Sequence, residues 1–199
     1  MRVHDIMTER VVTVTPETTV RHAAELLADH GVTALPVVDG SGAVVGMVSE
    51  VDVITTRFPH DSRYRHLRPE VPPSTVGAVM TPAAFTVDPE TDVGDLAERM
   101  WQHRHRCVPV VRGRRLVGIV TRRDLVRTIA RDDTRIADDV ANRLTSCGGR
   151  DRWIVRVHDG RVDIQDKADD VGGRRAAVAL IENVPGVTDA YVSGGGTER

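Results

Sequence analysis

The sequence predicts a mixed α/β chain: two βαββα units paired about a pseudo-twofold axis, followed by a small αββαβ domain. Three observations predict it. Residues 7–52 return in the same order as residues 80–124. Each copy switches from three- and four-residue apolar spacing to short valine-rich runs, the signature of helix followed by strands. From Asp133 onward the repeat stops and a different pattern begins.

The repeat is read residue by residue. Met7-Thr8 returns as Met80-Thr81, and Val12-Thr13-Val14-Thr15-Pro16-Glu17 as Phe85-Thr86-Val87-Asp88-Pro89-Glu90. The Thr-Pro-Glu or Asp-Pro-Glu step is expected to open a helix, with the polar residue as N-cap and proline at the first position. Val20, Ala23, Ala24 and Leu27, matched by Val93, Leu96, Ala97 and Met100, give each helix one buried face. Two short strands follow, Leu35 to Val38 and Val44 to Val48, joined by Asp39-Gly40-Ser41-Gly42. The second copy uses Arg112-Gly113-Arg114-Arg115 as its turn, with one residue deleted. A second helix then starts at Ser49 or Thr121, with Asp52 or Asp124 in its first turn. Strands this short need a partner layer, so the two copies are expected to pack on each other.

These paired motifs resemble a tandem of CBS domains, the Bateman module, over residues 1–56 and 74–131, with residues 57–73 as linker. The resemblance implies a regulatory binder of AMP, ADP, ATP or S-adenosylmethionine, in some members NAD or a cyclic dinucleotide, that dimerises through its helices. It implies no obligatory cofactor. It also implies that the hydroxyl and carboxylate of the Ser/Thr-x-x-Asp segment hold the ribose: Ser49 and Asp52 in the first copy, Thr121 and Asp124 in the second. The backbone around Leu35-Pro36 and Val108-Pro109 would face the adenine.

The chemistry agrees with that role, since a carboxylate accepts from two vicinal hydroxyls and a helix N-terminus offers free N–H groups to phosphate. The same residues also make a plain N-cap, and the pattern alone leaves both readings open. The copies differ in charge. Copy two carries Arg122 and Arg123 in its motif and His103, Arg104, His105 and Arg106 before its first strand, where copy one has Glu50, Val51, Gly31 and Thr33. A phosphorylated ligand is therefore expected to prefer copy two. Alternatively, the basic run is a solvated helix end opposing the dipole. Alternating His103 and His105 are weak metal ligands, and no metal site is expected.

Residues 57–73 are marked by proline and positive charge and are expected to be a solvated linker partly packed on the module, with a phosphate lid or nucleic-acid contact as the alternative. Cys107 and Cys147 fit neither a disulfide scaffold nor a zinc spacing and are expected to be reduced thiols.

In the last third, Ile136, Val140 and Leu144 mark a helix. Trp153 to Val157 and Val162 to Ile164 form a hairpin through His158-Asp159-Gly160. Ala176 to Ile181 lie in a second helix, and Val187 to Val192 form a closing strand after Pro185-Gly186. Residues 133–193 resemble a BON domain on this helix, the strand-Asp-Gly-strand hairpin and the Val-Pro-Gly-Val turn; residues 194–199 are expected to be a tail. The resemblance implies contact with a protein partner or, peripherally, with phospholipid.

The formal net charge of −2 gives no global attraction to nucleic acid, which is not an expected partner. No export signal or spanning run is recognised, so the expected location is cytoplasmic. No nucleophile elbow, P-loop or zinc-protease motif is present, and no catalytic residue is expected. The reading is a non-enzymatic adenosine-ligand sensor and homodimer that signals through the BON domain. The competing reading is a scaffold that tethers to membrane, protein or nucleic acid through that domain and the basic segments.

Overall fold

The computed structural model describes residues 1–57, 72–168 and 170–194. Most of the expected linker, residues 58–71, and residues 195–199 of the tail lie outside the described residues. The chain is mixed α/β, and it divides into two compact units. One comprises Met7–Thr91 and Glu98–Thr121; the other comprises Met1–Ile6, Asp92–Ala97 and Arg122–Arg199.

The first unit holds both repeated hairpins. Strands β1 (Ala34–Val38) and β2 (Val44–Ser49) pair antiparallel, as do β4 (Cys107–Arg112) and β5 (Arg115–Thr121). Each pair carries an irregularity at the same place, between Val37 and Val38 and between Val110 and Val111. The hairpin turns are joined to each other: Val44 N–H donates to the Arg114 carbonyl at 3.0 Å, and Leu116 N–H to the Gly42 carbonyl at 3.1 Å. Helix α1 (Val20–His30) buries Val20, Ala23 and Leu27 against Leu35, Val37 and Val48, as its spacing predicts.

Three features depart from the sequence reading. Thr15-Pro16-Glu17 does not open α1. Thr18 N–H donates to the Thr15 carbonyl at 3.1 Å to close a turn, and the helix begins at Val20 with Thr19 Oγ1 accepting from His22 N–H at 3.1 Å. Thr15 N–H donates to Thr18 Oγ1 at 3.0 Å, so the Thr-Pro-Glu segment closes on itself and leaves the cap to Thr19. In copy two, Asp88 likewise makes a turn, and α3 (Val93–Gln102) starts after Asp92, which accepts from Gly94 N–H at 2.7 Å. The expected first strand of each copy contracts to one parallel bridge, Val14 to Val37 and Val87 to Val110. Two residues beyond each bridged valine the chain enters a turn with a proline that lacks an N–H, so the ladder cannot extend.

The third departure is a crossover. Thr8 exchanges hydrogen bonds with Ile119 of β5 at 2.9 and 3.0 Å, and β3 (Thr81–Pro82) pairs with Gly46 and Met47 of β2. The Met-Thr segment of each copy thus lies on the hairpin of the other.

The second unit contains α4 (Arg122–Ile129), α5 (Asp133–Leu144) and α6 (Val171–Ile181), with β6 (Trp153–His158), β7 (Arg161–Asp166) and β8 (Asp189–Gly194). The β6–β7 hairpin turns at Asp159 and Gly160, both at positive φ (50° and 74°), and β8 adds parallel to β7. Ile136, Val140 and Leu144 of α5 and Ala177 and Ile181 of α6 bury against Trp153, Val162 and Ile164. This is the αββαβ order that the sequence predicts.

Candidate functional site

Ser49 ends β2 and Asp52 lies in the first turn of α2 (Glu50–Arg57). The two close a reciprocal cap: Asp52 Oδ2 accepts from Ser49 N–H and from the Ser49 hydroxyl, both at 2.7 Å, and Asp52 N–H donates to Ser49 Oγ at 3.4 Å. The capping role is therefore real, and it occupies one carboxylate oxygen. Oδ1 accepts no hydrogen bond from the described residues.

Both residues line a cleft of about 620 Å³ within the first unit. Copy one supplies Thr33, Ala34, Met47 and Ser49 to Asp52. Copy two supplies Thr81, Ala83 to Phe85 and Arg104 to Cys107. The crossover of the Met-Thr segments brings Thr81 and Phe85 here, on top of copy one's hairpin. Phe85 stacks parallel on the His105 ring, with centroids 5.2 Å apart and 3° between planes. The guanidinium groups of Arg104 and Arg106 have no hydrogen-bond or ion-pair partner among the described residues. Cys107 is largely withdrawn from water, and burial pushes its thiol up to about 11.

The other expected site residues are placed differently. Leu35 and Val108 are buried inside their hairpins. The Pro36 and Pro109 carbonyls accept from Val14 and Val87 N–H, each at 3.1 Å, and none of these four residues lines the cleft. Thr121 ends β5 opposite Cys107, and exposed Arg122 and Arg123 open α4. Asp124 lies 3.7 Å from Arg127, a cation whose place in copy one is taken by Thr55. Of the predicted set, the structure brings Ser49, Asp52 and Arg106 together. Arg104 to Cys107, the basic run of copy two, thus line the same cleft as the hydroxyl and acid of copy one. Thr81, Ala83 and Phe85 also line the cleft, and the duplicated Met-Thr marks the segment that carries them.

Among the described residues no group of three or more histidine, cysteine, aspartate or glutamate side chains could hold a metal ion. No helix among them is long and apolar enough to cross a membrane.

The CBS domain family matches residues 3–57 and 76–131, more than half of the sequence. The chain belongs to the CBS domain family. Protein MJ1404 of Methanocaldococcus jannaschii is 35% identical over 134 residues, which cover 65% of this chain and 32% of that protein, so the chain spans about a third of that relative's length. The CBS-pair protein CBSX2 of Arabidopsis thaliana, solved in complex with AMP, is 36% identical, with 63% of this chain and 93% of that one covered at a TM-score of 0.56. The CBS domain pair of protein MJ0100, solved with 5′-methylthioadenosine and S-adenosylmethionine, is 28% identical, with 64% and 94% covered at a TM-score of 0.53. These matches reach about two thirds of this chain.

Proposed function

We propose that this CBS pair is a regulatory, non-catalytic sensor for an adenosine ligand, and that a phosphorylated ligand occupies the cleft at Ser49 and Asp52. The observation that carries the reading is the convergence, on one cleft, of an acid, an aromatic stack and two arginines, with Asp52 Oδ1 and both guanidinium groups unpartnered among the described residues. Asp52 suits vicinal ribose hydroxyls, Phe85 and His105 suit a purine face, and the arginines suit phosphate. A volume of about 620 Å³ is that of a small-molecule site. The AMP complex of CBSX2 and the adenosyl complexes of MJ0100 support the ligand class.

A second site at Thr121 and Asp124 is part of the proposal, with Arg122 and Arg123 as its cations. Domain limits of 1–56, 74–131 and 133–193 go with this reading, as does a cytoplasmic location. Exposed apolar side chains on the helices, Val51 and Ile54 on α2, Trp101 on α3 and Val126 and Ile129 on α4, support a homodimer formed through them. The αββαβ unit, read as a BON domain, would pass ligand occupancy to a protein partner or a phospholipid surface.

A thermal-shift series with AMP, ADP, ATP, NAD, S-adenosylmethionine and 5′-methylthioadenosine tests the sensor. A ligand at ~100 times its Kd adds about 2.7 kcal/mol of stability, a shift of several °C. No response to any of the six, together with salt-sensitive binding to liposomes or RNA, would establish the tethering scaffold instead.

A further inference from the structure

We infer that Arg104 is a phosphate-binding, specificity-determining residue of the cleft, held in a strained backbone conformation for that purpose. The inference rests on the proposed adenosine-ligand reading and deepens it. Gly31 follows the first residue of α1 by eleven positions, and Arg104 follows the first residue of α3 by eleven. The two are equivalent places in the repeat, and both take the left-handed turn that ends the helix, at φ 59° and 56°. Glycine is the residue this turn favours, because a Cβ there meets its own backbone. Copy one has it. Copy two carries an arginine instead, a residue without the short polar side chain that lets asparagine or aspartate tolerate this region.

Strain of this kind persists where function holds it in place. The described residues contain three non-glycine residues at positive φ: Ala83, Arg104 and Asp159. Asp159 sits in the Asp-Gly hairpin turn, which requires the conformation. Ala83 and Arg104 both line the cleft. Among the described residues nothing compensates Arg104 for its backbone, since its exposed side chain has no hydrogen bond or ion pair there. An anion bound beside Asp52 supplies the missing partner. A cation that merely opposes the dipole of α3 would need no such place, because His103, one residue earlier, or any position in the last turn would serve without strain.

The test compares the full chain with Arg104→Gly and Arg104→Lys by calorimetric titration with adenosine, AMP and ATP, and by ligand-free thermal melting. Arg104→Gly is expected to raise Tm by about 2 °C, to leave adenosine affinity within about twofold and to weaken AMP and ATP by about tenfold or more. Arg104→Lys is expected to keep nucleotide affinity within about threefold and to gain no Tm. If Arg104→Gly lowers Tm, if it keeps AMP and ATP within twofold, or if it loses adenosine equally, the assignment of Arg104 falls while the adenosine-ligand reading stands. Failure of the wild-type chain to bind adenosine or either nucleotide overturns both.

Discussion

Met80 closes over Gly46 so tightly that a Cβ built on the glycine would lie 2.9 Å from the methionine sulfur and 2.7 Å from the Thr81 carbonyl oxygen. Copy two repeats the arrangement, with a Cβ on Gly118 2.6 Å from the Met7 sulfur and 3.2 Å from the Thr8 carbonyl. The obstacle at Gly46 includes backbone that β3 holds against β2, whereas at Gly118 the nearest atom belongs to a flexible side chain. Gly46→Ala is expected to cost about 1–3 kcal/mol and Gly118→Ala less, both read by urea denaturation. Equal costs would mean that the two crossings are not distinguished by backbone contact.

The Ser49–Asp52 cap separates stability from binding. Ser49→Ala removes the N-cap hydroxyl and is expected to cost about 1 kcal/mol of stability, whatever ligand is present. Asp52→Asn keeps the side-chain volume but loses the charged acceptor, and is expected to weaken adenosine binding by about tenfold. Calorimetric titration checks the second, and unchanged affinity would leave Asp52 with a capping role alone.

In copy two, Thr121→Ala is expected to weaken nucleotide binding by about 1–3 kcal/mol at that copy's site. Arg127 stands 3.7 Å from Asp124 and would compete with a ribose at the proposed second site for this carboxylate, so Arg127→Ala is expected to strengthen binding there. Titrations in an Asp52→Asn background isolate this site. A chain that binds nothing once Asp52 is changed would place all binding in copy one.

The features legible in sequence are those written in neighbouring residues. Valine runs and turn glycines give both hairpins, the three- and four-residue spacing of Val20, Ala23 and Leu27 gives α1, and the same logic gives Ile136, Val140 and Leu144 in α5. Ser49 and Asp52 are three apart, so a cap could be read directly. The cleft was not local. Arg104 and Arg106 stand more than fifty residues from Asp52 in sequence, and they reach it because Met7-Thr8 and Met80-Thr81 exchange hairpins. Each such segment is too short to announce a strand, and the partner it chooses is a matter of tertiary packing. The start of α1 is ambiguous in sequence for a related reason: Thr15-Pro16-Glu17 and Thr19 both suit an N-cap, and the choice falls to tertiary packing.

The Cys107 thiol, raised to about 11 by burial, should be slow toward alkylating reagents. At pH 8 only about one molecule in a thousand carries the reactive thiolate. Iodoacetamide labelling followed by mass spectrometry is expected to leave Cys107 largely unmodified in the native chain and to modify it fully in urea. Rapid native labelling would show that the cleft wall at β4 opens.

Acid should unfold the C-terminal unit through one buried carboxylate. Asp166, fully buried, accepts from Arg152 at 2.8 and 2.9 Å and from the Ala168 and Asp170 N–H groups at 3.0 Å each. The Arg152 guanidinium, which also covers the Trp153 ring at 4.5 Å, is the main cause that holds this carboxyl far below the usual carboxylate range, against the opposing effect of burial. Because the folded value lies below the unfolded one, the stabilisation is complete above about pH 4 and drains away as pH falls through the folded value. Asp166→Asn leaves half-buried Arg152 with Asp170 as its remaining carboxylate partner, at 3.3 Å, and is expected to lower stability at pH 7 while flattening the acid dependence. Urea melts at pH 7 and pH 3, followed by Trp153 fluorescence in a Trp101→Phe background, measure both effects. A variant that loses stability at pH 7 yet keeps the wild-type slope between the two pH values would assign acid sensitivity to another group.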